Sequence, residues 1–121
     1  MIFLDFETRS RCDLLTAGTF NYVADPSTEI ICMAAYDLES GERWLLDGDL
    51  EMPWDLRNAL TEADFVVAHN AEFDQGIYEY CGAPVHHFPE IPPEKWYCTA
   101  AQCRVNALPA ALDKAAWALG L

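Results

Sequence analysis

Phe65-Val66-Val67-Ala68 is apolar at every position and passes at once into His69-Asn70. A strand with one wet face alternates apolar and polar residues; a strand that does not alternate is covered on both faces. Ile2 to Phe6, an apolar run carrying one acid, Asp5, also reads as a buried strand. Strands buried on both sides are covered by helices, so these two segments point to an α/β architecture. The 121 residues amount to one domain, because compact domains cluster at roughly 100–150 residues.

The remaining elements follow in order. Arg9 to Ser27 is turn-rich, with Gly18 and Asp25-Pro26 as punctuation. Glu29 to Leu38 reads as a second strand, Glu39-Ser40-Gly41-Glu42 as a hairpin-type turn, and Arg43 to Leu46 as a third strand. Pro53 suits the first turn of a helix carrying Trp54, Leu56 and Leu60. Ala71 to Tyr80 is expected to be helical, closing at Gly82. Ala83 to Lys95 holds four of the seven prolines and is expected to be a loop. Trp96 to Cys98 is a candidate fifth strand, with Thr99 as N-cap of a short helix through Arg104. Leu108, Leu112, Ala115, Ala116 and Leu119 lie at helical spacing, with Pro109 at the start and Gly120 at the end. The expected sheet is mixed, with about five strands, the first three antiparallel, flanked by helices.

Charge narrows the function. Twenty acidic residues against seven basic ones leave −13, which excludes a broad basic nucleic-acid-binding surface. Contact with nucleic acid has to be local or bridged by cations. No segment approaches the ~20 apolar residues of a membrane span, and Met-Ile-Phe-Leu-Asp is no signal peptide, so no membrane partner is expected. Five scattered cysteines without a CxxC pair fit a reduced, cytoplasmic chain.

Two motifs carry chemistry. In Asp5-Phe6-Glu7 the carboxylates stand two apart on a strand and project to the same face. Two like charges so close repel, and a hard divalent cation such as Mg²⁺ or Mn²⁺ relieves the repulsion. The plainer reading is a strand end whose acids face water. In His69-Asn70-Ala71-Glu72-Phe73-Asp74 an apolar strand gives way to a helix, at the kind of strand end where open α/β sheets place ligands. Here too a plainer reading exists: Asn70 as N-cap, with Glu72 and Asp74 as first-turn acids.

On these elements and in this order, the two motifs resemble those of the DnaQ-like, or DEDD, 3′–5′ exonuclease superfamily, which has a ribonuclease-H-like fold. Asp5 and Glu7 in DFET match its first motif, and Asn70 and Asp74 in HNAEFD its second. DFETRSRCDL, STEIICMAAYD, VVAHNAEFD, WYCTAAQCR and LPAALDKAAWALGL look like segments of the proofreading domain of phage-type family A DNA polymerases. The resemblance covers nearly the whole of residues 1–121 as a partial exonuclease domain. It implies a ribonuclease-H-like sheet and hydrolysis at single-stranded DNA 3′ ends, with a polymerase domain in the full-length protein and a phage or bacterial cytoplasmic setting.

The resemblance also assigns roles. Asp5 would bridge two cations, Mg²⁺ or Mn²⁺; Glu7 would ligate one, and Asp74 would support the other through its water shell. Phe6 and Phe73 would stack on bases or serve the core, Thr8 would offer its amide or hydroxyl to the terminal sugar, and Asn70 would bond sugar or phosphate or cap the helix. The family needs a fourth carboxylate, preceded by a Tyr or His that activates water. Asp113 is the only acid after Glu94, and Leu108 and Pro109 stand one turn before it. The chain therefore reads as C-terminally truncated before the third motif, and is expected to be inactive or severely impaired by itself. His69 lies beside the site, but the family's base comes from that third motif.

Rival readings remain open. Asp37 to Asp64 carries nine acids against Arg43 and Arg57, which suits a non-catalytic interaction module facing a basic partner. Related enzymes trim RNA, although nothing here identifiably reads a 2′-hydroxyl. A zinc site from His86, His87, Cys98 and Cys103 fits no common ligand spacing.

Overall fold

A computed structural model describes all of residues 1–121. Five strands form one sheet: β1 (Ile2–Arg9), β2 (Glu29–Asp37), β3 (Arg43–Asp47), β4 (Val66–Ala68) and β5 (Trp96–Cys98), in the order β3-β2-β1-β4-β5. β2 pairs antiparallel with both β1 and β3, whereas β1–β4 and β4–β5 are parallel. β2 alone therefore runs against the other four, and the mixed sheet is consistent with a ribonuclease-H-like one. The β2–β3 turn is fixed by the Asp37 carboxylate, which accepts from the Glu39 amide at 3.1 Å and the Ser40 hydroxyl at 2.7 Å. Gly41 supplies the positive φ of 77° that the turn requires.

Alternation along β1 decides which face holds the core. Ile2, Leu4 and Phe6 are buried, and Asp5, Glu7 and Arg9 are exposed on the opposite face. The buried row packs with Leu56 and Leu60 of α2 (Trp54–Glu62) and with Ile77 at the end of α3 (Ala71–Ile77). β4 is buried at all three positions, as its unbroken apolar sequence demands. Across the other sheet face, α5 (Thr99–Val105) and α6 (Leu112–Ala118) border a groove of about 720 Å³ lined by Phe3, Asp5, Trp44, Val67, His69 and Leu119 among others. No helix is long and apolar enough to cross a membrane.

The structure corrects several local expectations. β1 extends to Arg9, and the stretch read as turn-rich holds a helix, α1 (Leu14–Ala24). Asp13 caps α1 by accepting from the Leu15 amide at 3.1 Å, and Gly18 breaks its regularity at φ 79°, ψ 167°. Only Tyr22 and Val23 of α1 are buried, so the helix has no apolar stripe to betray it. The helix expected to close at Gly82 passes instead into a π-helical turn (Tyr78–Gly82) and then α4 (Ala83–His86). Gly82 packs under Phe88, where a Cβ would strike the ring. Pro93–Lys95 adds a 3₁₀ turn within the expected loop. Cys98, not Thr99, caps α5, its Sγ accepting from the Ala101 amide at 3.4 Å. The last helix begins at Leu112, leaving Pro109 outside it, and of its apolar row only Ala115 is buried.

Candidate functional site

β1 and β4 are parallel neighbours, and β1 has the antiparallel β2 on its other side. Ligands of open α/β sheets gather outside strand carboxyl ends where the winding reverses. β1 delivers Asp5 and Glu7 towards that edge, and a register shift against β2 falls between Glu7 and Thr8. β4 leads through His69 and Asn70 into α3. Asn70 has φ 73°, ψ 52°, a left-handed conformation that asparagine tolerates better than most residues. Its side chain makes no cap bond and is exposed, so the helix-capping alternative is withdrawn.

Asp74 follows one turn into α3 and is only 4% exposed. Burial is the main force pushing its carboxyl up to about 7, and the nearby Asp5 carboxylate adds to it. The backbone amides of Asp74 and Phe6 pull the other way without prevailing. The structure thus brings together Asp5 and Asp74, residues 69 positions apart in the chain, as one like-charged pair. Glu7 shares the exposed face of β1 with Asp5. No three His, Cys, Asp or Glu side chains converge closely enough to hold a metal ion unaided, which applies to Asp5, Glu7 and Asp74 and to His86, His87, Cys98 and Cys103 alike. Two carboxylates still fit Mg²⁺, which usually keeps several waters and takes substrate phosphate oxygens beside one or two protein carboxylates.

Other expected residues have structural partners. Phe6 lies in the core, edge-on to Tyr78 at 6.4 Å, and offers no face to a base. Phe73 is half-buried against Tyr22 at 5.8 Å. The Thr8 hydroxyl bonds the Tyr22 hydroxyl at 2.9 Å. His69 uses both ring nitrogens: Nε2 donates to the Ala110 carbonyl at 2.7 Å, and Nδ1 meets the Thr99 hydroxyl at 2.9 Å. It therefore ties the end of β4 to α5 and to the loop before α6. Asp113 is exposed in the first turn of α6.

Two residues hold the site in ways the sequence did not signal. Tyr22 sits on α1, where no helix is expected, and holds Thr8 and Phe73. Cys98 accepts from the amides of Ala71 and Ala101, both at 3.4 Å, and so joins the starts of α3 and α5. Burial pushes its thiol up, but the amides of Ala101, Ala71, Asn70 and Ala100 outweigh burial and hold it below the ordinary range.

Fold and site together define an α/β domain with a mixed sheet of ribonuclease-H-like order and a carboxylate pair at its switch point. No family model matches the chain. The chain is similar to the DNA polymerase of Bacillus phage SP02, at 34% identity over 122 residues and 98% of this chain. It spans 18% of the length of that polymerase.

Proposed function

We propose that this domain is a metal-dependent 3′–5′ exonuclease associated with a phage-type DNA polymerase, removing nucleotides from single-stranded DNA 3′ ends. The observation that carries this is the placement of Asp74, 4% exposed on α3, close enough to Asp5 of β1 for the Asp5 charge to disfavour its ionisation. Uncompensated, such a pair is costly; with a hard cation it becomes a binding site. Similarity to a phage polymerase supports the setting.

Asp5 and Asp74 would hold Mg²⁺ or Mn²⁺, with Glu7 reaching in from the same face of β1. Bound there, the cations would supply an activated water and stabilise charge on the leaving 3′-oxygen. The chain's own residues do the positioning. Asn70, exposed and free of capping, offers its amide to sugar or phosphate. Tyr22 fixes Thr8 through their 2.9 Å bond, which keeps the Thr8 backbone beside Glu7 in place. His69 is a positioning residue, because both ring nitrogens are committed. The fourth carboxylate that the family resemblance calls for has no match at Asp113, so residues 1–121 tested by themselves are expected to be inactive or severely impaired.

The test is an end-labelled assay on 5′-labelled single-stranded DNA with Mg²⁺ or Mn²⁺, beside Asp5→Ala. A ladder shortening from the 3′ end and lost in Asp5→Ala supports the proposal; a ladder indifferent to Asp5→Ala overturns it. If neither protein trims, Mn²⁺ titration followed by electron paramagnetic resonance reads the pair without turnover. Binding that disappears in Asp74→Asn supports the site, and binding unaffected by that change refutes it.

A further inference from the structure

Beyond Glu7, β1 ends at an open cavity of about 600 Å³ formed by Arg9, Ser10, Arg11, Pro26, Ser27 and Glu29. We propose that this cavity binds the phosphodiester backbone of the single strand upstream of its 3′ end, an inference that rests on the exonuclease reading above.

Arg9 lies on the same exposed face of β1 as Asp5 and Glu7. The four residue steps from Asp5 to Arg9 span about 13 Å of strand, so a nucleic-acid strand ending at the carboxylates and following β1 passes the two arginines. Only seven residues of the chain are basic, and two of them line this one cavity. Arg9 is engaged with Glu29, through Nε at 2.8 Å and a terminal nitrogen at 2.7 Å. Arg11 is exposed, and its guanidinium makes no ion pair or hydrogen bond, although the Asp25 carboxylate feels its charge. Asp25 itself is occupied by Ser27, accepting from the Ser27 amide at 2.8 Å and hydroxyl at 2.6 Å.

The wall is already ordered. The Arg11 amide donates to the Ser27 hydroxyl oxygen at 2.9 Å, the Cys12 amide to the Ser10 hydroxyl oxygen at 3.0 Å, and Thr28 bonds Ser10 at 2.8 Å. Binding here therefore needs little loop ordering. An unpaired planar guanidinium beside hydroxyls suits a phosphate oxygen, and Arg outperforms Lys in that role because its donors are forked. In a chain of −13 a local cation is also what offsets the repulsion of a polyanion.

The experiment is fluorescence anisotropy of labelled single-stranded DNA with phosphorothioate 3′ linkages, which resist trimming, in Mg²⁺ over a series of salt concentrations. Wild type is compared with Arg11→Ala, Arg11→Lys and Arg104→Ala, the last removing an exposed arginine on α5 that has no ion-pair partner. Arg11→Ala should weaken binding about tenfold and reduce the salt slope by about 0.7. Arg11→Lys should restore the slope but not the affinity, and Arg104→Ala should change neither. Equal losses in Arg11→Ala and Arg104→Ala, or no loss in Arg11→Ala, overturn the cavity assignment and leave the exonuclease proposal intact. A wild-type chain that binds no single strand overturns both.

Discussion

Asp74→Asn should stabilise the metal-free protein at neutral pH, against the usual rule that changing a buried residue destabilises. The Asp74 carboxyl titrates at about 7 in the folded state, against an ordinary 3.8. At 1.36 kcal/mol per pKa unit, that gap is worth about 4 kcal/mol. The folded state holds this proton more tightly than the unfolded chain does. Its contribution is therefore complete below about pH 4, declines as pH rises towards the folded value, and is gone above about pH 7. Domains are stable by only about 5–15 kcal/mol, so the term is large. An asparagine keeps the shape, keeps an oxygen towards the Phe6 amide, and removes the charge that Asp5 repels.

The assay is urea unfolding in a chelator between about pH 5 and about pH 8. Wild type should lose up to roughly 1.4 kcal/mol per pH unit over the first two units, while Asp74→Asn stays flat. Asp25, Asp37 and Asp55 are held below the ordinary range by hydrogen bonds, led by those from Ser27, Ser40 and Trp44 respectively. Their contributions are present above the unfolded value and lost only as pH falls through their depressed folded values, outside the window. Parallel pH profiles for wild type and Asp74→Asn would refute the assignment of a buried, charge-opposed carboxyl.

Mg²⁺ or Mn²⁺ added at about pH 8 should raise the thermal midpoint of wild type but not of Asp5→Asn or Asp74→Asn; equal shifts in all three would place the cation elsewhere. Tyr22→Phe, which removes the bond to Thr8, should cost about 1 kcal/mol by urea midpoint, and an unchanged midpoint would mean that the bond is idle. His69→Ala releases the Ala110 carbonyl and the Thr99 hydroxyl, so amide exchange at Ala115 and Leu119 should accelerate while β2 stays protected. Uniform acceleration would indicate global destabilisation instead. Gly82→Ala should cost about 1–3 kcal/mol through overpacking against Phe88, read as a lower urea midpoint.

The sheet was legible because its strands announce themselves. β4 is apolar throughout and β1 nearly so, and both proved buried on their core-facing rows. Helices were harder wherever burial did not follow a period. α1 keeps only two adjacent residues inside, Tyr22 and Val23, and Gly18 interrupts it, so neither periodicity nor punctuation suggested a helix. Gly82 misled in the opposite sense. It is small because Phe88 lies over it, not because the helix ends there. The spacing of Leu112, Ala115, Ala116 and Leu119 did mark α6, although Leu112 and Leu119 themselves are exposed.

The candidate site was legible in its residue types but not in its energetics. Spacing alone puts Asp5 and Glu7 on one face of a strand. The Asp5 charge also reaches Asp74, because β4 lies beside β1 and leads through a left-handed Asn70 into α3. No local pattern encodes that approach; it is a consequence of strand order. Burying one acid against another conflicts with every rule of stability that the rest of the core obeys, and such local conflicts in natural proteins concentrate where a ligand resolves them. Asp74 differs in this respect from the first-turn acid it resembles in sequence. A helix-dipole acid belongs at the surface, whereas Asp74 is 4% exposed and holds its proton to about pH 7. A divalent cation arriving at Asp5 would displace that proton and turn the repulsion between Asp5 and Asp74 into a binding contribution.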